Sequence, residues 1–311
     1  MTRKGGATDE LRPLMFSIAY RMLGSASEAE DVVQEAFLRL HRSQAEGKVV
    51  ESERAWLASV TTRAAIDELR SARARRETYF GPWLPEPLLT SREADGAELA
   101  EMADSLSLSF LVLLETLTPL ERAVFLLREV FDYRYEEIAT MVEKSEANCR
   151  QVFARARKRI DEGKPRFEVT KQQQDELAAR FLEAVGDGDL DSLVRFLAAD
   201  VVFVGDGGGK GRGLPQPVYG QGRVGRLLRG FFETFAELGA RLERAEVNGE
   251  PGILCFDAED RLINVFALEI ADGEIQTFRS IINPDKLPQL GFPLSEIGRA
   301  DRDGGAAWRA E

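Results

Sequence analysis

Histidine and cysteine are almost missing from this 311-residue chain, which holds one His and two Cys. His41 is the only imidazole, so any His-based catalytic triad would have to use it. Cys149 and Cys255 form no CxxC pair, and so few soft ligands build neither a zinc finger nor a disulfide framework. No metal or cofactor is expected. No run reaches the ~18 apolar residues of a membrane span. The opening MTRKGGATDELRP lacks the apolar stretch of a secretion signal. A cytoplasmic protein with no membrane partner is expected. A positive balance is missing too: 41 Lys+Arg against 53 Asp+Glu leave −12, unlike a protein that simply coats DNA.

Apolar material is plentiful. Hydrophobic residues are 44% and charged residues 30%, enough for real cores. The length suits two or three domains of roughly 100–200 residues each. Charge is zoned along the chain. Residues 1–77 are net +1, residues 78–144 net −8, residues 145–166 net +4 and residues 167–311 net −9. Local basic patches can still meet phosphate in such a chain.

The first 77 residues read as helices. Ser25-Ala26-Ser27-Glu28 has the form of a capping box, and Ser27 to Glu30 offers the same one register later. Ala29, Val32, Val33, Ala36, Phe37 and Leu40 then form one apolar helical stripe, with Glu28, Asp31 and Glu35 on another face. A second long helix is predicted from Glu53 to Arg76, with Trp56, Leu57, Val60 and Ala64 inward. Its second half carries five arginines between Arg63 and Arg76, beside Asp67 and Glu68. That composition suits a polyanion, although Asp67 can pair with Arg63 and Arg70 on a merely solvated face.

Residues 78–105 read as a linker with Pro82, Pro85 and Pro87. Trp83 and Leu84 gain nothing from water there and suggest an anchor on a surface. Helices resume at Leu106. Thr118-Pro119-Leu120-Glu121 combines an N-cap, a proline at the first helical position and a capping-box Glu. A short helix, Tyr135 to Val142, a tight turn and a basic helix begun by Ser145 spell a helix-turn-helix. Glu143 sits where a turn glycine is customary. Ser145, Glu146, Asn148, Arg150 and Gln151 would face base edges and nearby phosphates, with Arg155, Arg157 and Lys158 on backbone phosphates. Cys149 lies on the apolar face and reads as core.

Beyond Val169 the texture changes. A helix pair at 172–198, a strand at 201–204, a glycine-rich loop at 205–213, a helix near 223–238 and four strand-like runs point to an α+β domain with a curved antiparallel sheet. Gly220-Gln221-Gly222-Arg223-Val224-Gly225 fits G-x-G-x-x-G, but the stretch before it, with Pro215 and Pro217, makes a poor strand, so chance is the simpler reading. Asp206, Asp257 and Glu269 are candidate acids or bases, with no His to pair with and no evident partner among themselves.

Ala29-Glu30-Asp31-Val32-Val33-Gln34-Glu35-Ala36-Phe37-Leu38, Arg54-Ala55-Trp56-Leu57 and Ala65-Ile66-Asp67-Glu68-Leu69-Arg70 resemble region 2 of bacterial extracytoplasmic-function sigma factors. The helix-turn-helix at 118–160 resembles their region 4. The remainder is similar to a subgroup with a fused SnoaL-like domain, marked by Trp83-Leu84-Pro85-Glu86-Pro87, Asp206-Gly207-Gly208-Gly209-Lys210 and Asn283-Pro284-Asp285-Lys286-Leu287. The resemblance implies a multidomain fold: two all-α domains, a region 2 bundle and a region 4 helix-turn-helix, plus an α+β cone of the SnoaL and ketosteroid-isomerase kind. The expected boundaries are 8–77 for region 2, 78–105 for the linker, 106–165 for region 4, 168–290 for the cone and 291–311 for a disordered tail.

The resemblance also implies roles. Asp31, Gln34, Glu35 and Leu38 would bind the β′ clamp helices of core RNA polymerase, and region 4 the β flap. Arg63, Asp67, Arg70 and Arg73 would contact the −10 element, with a flipped base held beside the loop at 44–51. Ser145, Asn148, Arg150, Gln151, Arg155, Arg157 and Lys158 would read the −35 element of promoter DNA. The three subgroup motifs would be regulatory interdomain contacts, the fused domain standing in for a separate anti-sigma factor and carrying out no chemistry. Two alternatives stay open: a SnoaL-like enzyme with a helical appendage, and a transcription regulator sensing a small apolar ligand in the cone.

Overall fold

The computed structural model describes residues 10–90, 106–163, 170–189 and 191–299. The chain divides into two compact units. One combines Met1–Glu77 with Phe110–Lys164, and the other combines Thr78–Ser109 with Pro165–Glu311. This division differs from the one read off the sequence. The two helical regions form one unit, and the expected linker belongs with the C-terminal unit. The part of that linker at 91–105 lies outside the described residues.

In the helical unit, α1 (Arg12–Leu23) ends at Gly24, whose φ of 69° is the left-handed cap that glycine adopts without strain. Ser25 then caps α2 (Ala26–Ala45) through its hydroxyl, which accepts from the Glu28 N–H at 3.1 Å, so the first of the two possible registers is used. The apolar stripe of α2 is buried as its spacing predicts. Ser52 caps α3 (Glu53–Arg76). Its inward face differs from the expected one. Leu57, Ala58, Thr61, Thr62, Ala65 and Leu69 are buried, while Trp56, Val60 and Ala64 are half-buried. Two threonines on the inner face hid it from an apolar count.

The short α4 (Leu108–Leu114) leads to α5 (Pro119–Glu129), which carries the Thr118–Glu121 capping box in full. Then α6 (Tyr135–Val142), a turn and α7 (Glu146–Gly163) complete the helix-turn-helix. Cys149, Val152, Ala156 and Ile160 fill its interior, and Phe153 stacks on Phe125 with ring centroids 6.0 Å apart.

In the C-terminal unit, α8 (Lys171–Gly186) is followed by a single 3-10 turn, Ser192–Phe196, and then directly by β1 (Leu197–Asp206). The expected second helix of the pair is therefore mostly turn and strand. The strands β2 (Val218–Tyr219), β3 (Arg241–Val247), β4 (Glu250–Phe256), β5 (Leu262–Ala271) and β6 (Glu274–Ile281) complete a six-stranded sheet ordered β2-β1-β6-β5-β4-β3. Only β1 and β6 run parallel. Bulges in β5 and β6 bend it. Against it pack α8 and α9 (Gln221–Glu237). The G-x-G-x-x-G stretch is simply the start of α9, with Gly220 at a φ of 89°.

Phe181, Phe203, Phe231, Phe232, Phe235, Phe266 and Phe278 interlock to fill the cone, with centroids 5.1–6.5 Å apart. Beside them remains a space of about 10 Å³ lined in part by Asn264, Ser280 and Arg212. It has room for about one water molecule. Residues 291–299, read from sequence as disordered, fold back on the cone. Leu262 N donates to Pro293 O at 2.7 Å, Ser295 Oγ to Asp257 Oδ2 at 2.6 Å, and Arg212 N to Gly298 O at 2.9 Å. The polar, glycine-containing sequence that follows them hid these anchors. Residues 300–311 of the expected tail lie outside the described residues.

Candidate functional site

The outer face of α2 follows from its buried stripe. Asp31, Gln34 and Leu38 are exposed and Glu35 is half-buried, so positions 31, 34, 35 and 38 line one side of the helix. Leu38 is 42% exposed, unusual for a leucine on an otherwise polar face. Glu35 accepts from Arg39 at 2.8 Å, and that bond holds its carboxyl below the usual range.

On α3 the four arginine-zone residues have different partners. Asp67 and Arg70 pair with each other at 2.8 Å on the surface. Arg63 donates from Nε to Met141 O at 2.8 Å and from Nη2 to Thr140 O at 2.9 Å. Arg73 donates to the carbonyls of Glu115 and Leu117. Deeper in the unit, fully buried Arg122 donates to Arg21 O at 2.9 Å and pairs with Glu115, which also takes Arg76 at 2.5 Å. Burial opposes ionisation of Glu115, but the charges of Arg122 and Arg76 outweigh it and lower its pKa. Sequence reading missed Arg76, Glu115 and Arg122 as a network, because nothing in local spacing links positions so far apart.

On α7, Ser145 Oγ accepts from the Asn148 N–H at 3.2 Å and begins the helix. Asn148, Arg150, Gln151, Arg155, Arg157 and Lys158 are all exposed. The cations are shared with acids. Arg150 pairs with Glu146 at 2.8 Å and lies 4.8 Å over the Tyr135 ring. Arg157 lies 3.8 Å from both Glu129 and Asp161, and Lys158 lies 3.9 Å from Glu162. Glu121, the capping-box residue, also takes Arg159 at 2.7 Å and Arg155 at 3.9 Å. Arg159 was not among the expected contacts. Burial and the Glu146 charge raise the pKa of the Cys149 thiol, which suits a core position.

In the C-terminal unit the three subgroup motifs meet at one carboxylate. Asp206, fully buried at the end of β1, accepts from the linker's Leu84 N–H at 2.8 Å and from Tyr79 Oη at 2.5 Å. Lys286 Nζ pairs with Asp206 at 2.7 Å and donates to Leu84 O. The same ammonium lies 4.2 Å over the Trp83 ring and 5.0 Å over that of Tyr79, a favourable cation–π setting. Asn283 Nδ2 donates to Tyr79 Oη at 2.7 Å, and its Oδ1 accepts from Asp285 N, which fixes the turn. Leu84, Pro85, Glu86, Pro87 and Leu287 are buried, Pro284 half-buried, and exposed Asp285 pairs with Lys210 at 2.6 Å.

The glycines at this point have a steric cause. A Cβ on Gly208, whose φ is +58°, would lie 2.2 Å from Asn283 Nδ2. One on Gly207 would lie 2.6 Å from Gly211 O. Gly209 also has positive φ and faces Phe80. Burial, followed by the Asp206 charge, pushes the Tyr79 phenol far above its ordinary pKa, so it stays a donor. Further along the same strip, Leu88 and Thr90 bond to the β3–β4 turn, where buried Asn248 accepts from Leu88 N and donates to Leu106 O. Tyr79 carried no sequence signal, since it precedes the motif, and Asn248 read only as half of an Asn-Gly hairpin turn.

The three candidate catalytic carboxylates are all committed elsewhere. Asp206 is tied to Lys286, Asp257 to Ser295 and Arg261, and Glu269 to Arg279 at 2.6 Å. None lines the small interior space. Among the described residues no cluster of His, Cys, Asp and Glu could hold a metal, and no helix is long and apolar enough to cross a membrane.

Comparison with known proteins covers most of the chain. Residues 8–75 match the family described as Sigma-70 region 2, residues 107–160 Sigma-70 region 4, and residues 178–281 the SnoaL-like domain. The ECF RNA polymerase sigma factor SigJ of Mycobacterium tuberculosis is 36% identical over 305 residues, covering 93% of this chain and 94% of the relative. The probable ECF RNA polymerase sigma factor SigI of the same species is 34% identical over 286 residues, with 91% and 94% covered. The crystal structure of M. tuberculosis SigJ superposes with a TM-score of 0.72 at 33% identity, over 92% of this chain and 98% of that one.

Proposed function

The chain belongs to the extracytoplasmic-function RNA polymerase sigma factors, and from that premise we propose how its surfaces divide the work of promoter recognition and how its third domain controls them. The exposed stripe Asp31, Gln34, Glu35 and Leu38 docks on the clamp helices of core polymerase, an apolar knob set among carboxylates for a basic partner, while region 4 meets the β flap. Arg63, Asp67, Arg70 and Arg73 engage the −10 element. Ser145, Asn148, Arg150 and Gln151 read −35 base edges from the start of α7, and Arg155, Arg157 and Lys158 hold phosphates. The work is done where polymerase is, in the cytoplasm, and the chain catalyses no reaction of its own.

The SnoaL-like domain acts as a built-in restraint in place of a separate anti-sigma factor. One observation carries this reading: buried Asp206 accepts from the backbone N–H of Leu84, so the segment joining region 2 to region 4 is held by the third domain's own core. The cone, packed with phenylalanine and with Asp206, Asp257 and Glu269 committed to ion pairs, supports a role through contacts and not through chemistry. Transcription in vitro with core polymerase tests both parts. The full chain should direct start-site-specific transcripts, and Tyr79→Phe, which deletes the hydroxyl shared by Asp206 and Asn283, should raise their yield severalfold. Equal yields would overturn the restraint. An absence of transcripts with either chain would overturn the polymerase docking.

A further inference from the structure

Glu143 occupies the turn of the helix-turn-helix with φ 55° and ψ 48°, the left-handed region that glycine adopts freely and glutamate does not. Its side chain has a use there. Glu143 Oε1 lies 2.8 Å from Nη1 of Arg63 on α3. The same guanidinium donates through Nε and Nη2 to the carbonyls of Met141 and Thr140 in the last turn of α6. A cation is favoured at that place by the free carbonyls and by the negative end of the helix dipole. Three oxygens, one of them charged, are thus arrayed around one arginine fork. A phosphate presents a similar set. Farther along α3, Arg73 is likewise taken up by the carbonyls of Glu115 and Leu117.

The contacts between these two halves of the helical unit fall into two grades. The Arg122–Glu115–Arg76 network is buried, Arg122 completely. The Arg63–Glu143 pair is open to solvent, its side chains 43% and 71% exposed. Ion pairs of that kind are weak and screened by salt. The inner network is shielded from solvent, and the outer pair can be displaced.

We propose that the turn of the helix-turn-helix is an internal decoy for nucleic-acid phosphate: Glu143, with the carbonyls of Thr140 and Met141, occupies Arg63 so that a DNA strand must displace them to use it. This deepens the function proposed above and rests on its assignment of α3 to the −10 strand. The decoy lowers the free chain's hold on DNA without removing any DNA-binding residue, and it explains why a carboxylate stands where the backbone would prefer glycine.

The test is anisotropy of a fluorescein-labelled 20-nucleotide single-stranded DNA titrated with the full chain over a range of salt. Glu143→Gly suits the turn's backbone and leaves Arg63 in place. It should tighten binding about fivefold at low salt and steepen the plot of log K against log salt by about 0.7, the share of one phosphate contact on a single strand. Glu143→Gln, which removes only the charge, should move in the same direction. Adding Arg63→Ala to Glu143→Gly should abolish the gain. Wild-type binding by both Glu143 variants would overturn the decoy. So would a gain that survives Arg63→Ala, since that is only the general effect of removing a negative charge. Transcription with core polymerase is scored separately. Its failure strikes the polymerase reading, while the DNA titration still decides the decoy.

Discussion

Asp206 is where the segment at 79–84, the end of β1 and the turn after β6 meet in the C-terminal unit. Its two carboxylate oxygens take Tyr79, Leu84 and Lys286, and its backbone carbonyl takes the N–H groups of Ile282 and Asn283. Neutralising it removes the carboxylate that faces the buried Lys286 ammonium at 2.7 Å. Asp206→Asn should therefore cost about 3–5 kcal/mol, the range for breaking one side of a buried pair, read as a lowered urea midpoint of the full chain. Asp206, Asn283 and Lys286 were legible because their motifs resemble a known subgroup. Tyr79 was not, since an aromatic in a proline-rich stretch carries no periodic signal. Glu143 was legible only as an oddity, because its partner lies 80 positions away in sequence.

Caps and stripes were the most legible level among the elements. The Thr118–Glu121 box forms with both reciprocal bonds, Thr118 N to Glu121 Oε2 at 3.0 Å and Glu121 N to Thr118 Oγ1 at 3.3 Å. Thr118→Ala should cost about 1 kcal/mol. It also frees one hold on the carboxylate that takes Arg159, so the α7 end of the helical unit should lose amide-exchange protection alongside a drop in melting temperature. The inner face of α3 was less legible, because Thr61 and Thr62 are buried and an apolar count skips them. The run from Leu193 to Ala198 misled for the opposite reason. It is apolar enough for a helix, but it closes as a single 3-10 turn to Phe196 and from Leu197 joins β1 beside β6.

Across the whole molecule, charge that composition shows only as −12 is spent in specific places. Glu250 is one. Its Oε1 accepts from the Ser109 hydroxyl at 2.6 Å, while its Oε2 and Arg279 Nη1 are buried without hydrogen-bond partners among the described residues. Burial raises its pKa above 4.5, against the pull of Arg279 and of the Ser109 bonds. An acid raised in the folded state binds more protons there than when unfolded. Its stabilising contribution is complete below about pH 4.5 and is lost as pH rises through the raised value. Glu250→Gln cannot ionise and keeps the Ser109 bond. Its melting temperature should match wild type near pH 4.5 and exceed it increasingly toward pH 7, as followed by thermal unfolding at a series of pH values. The sequence by itself determined the helices, their caps, the apolar stripes, the absence of metal-ligand spacing and, through motif order, the family, since all of these are written within a few residues or in residue type. Which helices share a unit, that the linker belongs to the cone, that the tail at 291–299 folds back, and that Arg63 and Arg73 rest on another region's carbonyls were decided only by the tertiary structure. These depend on ion pairs and hydrogen bonds between residues tens to hundreds of positions apart, and local pattern carries no record of such partners.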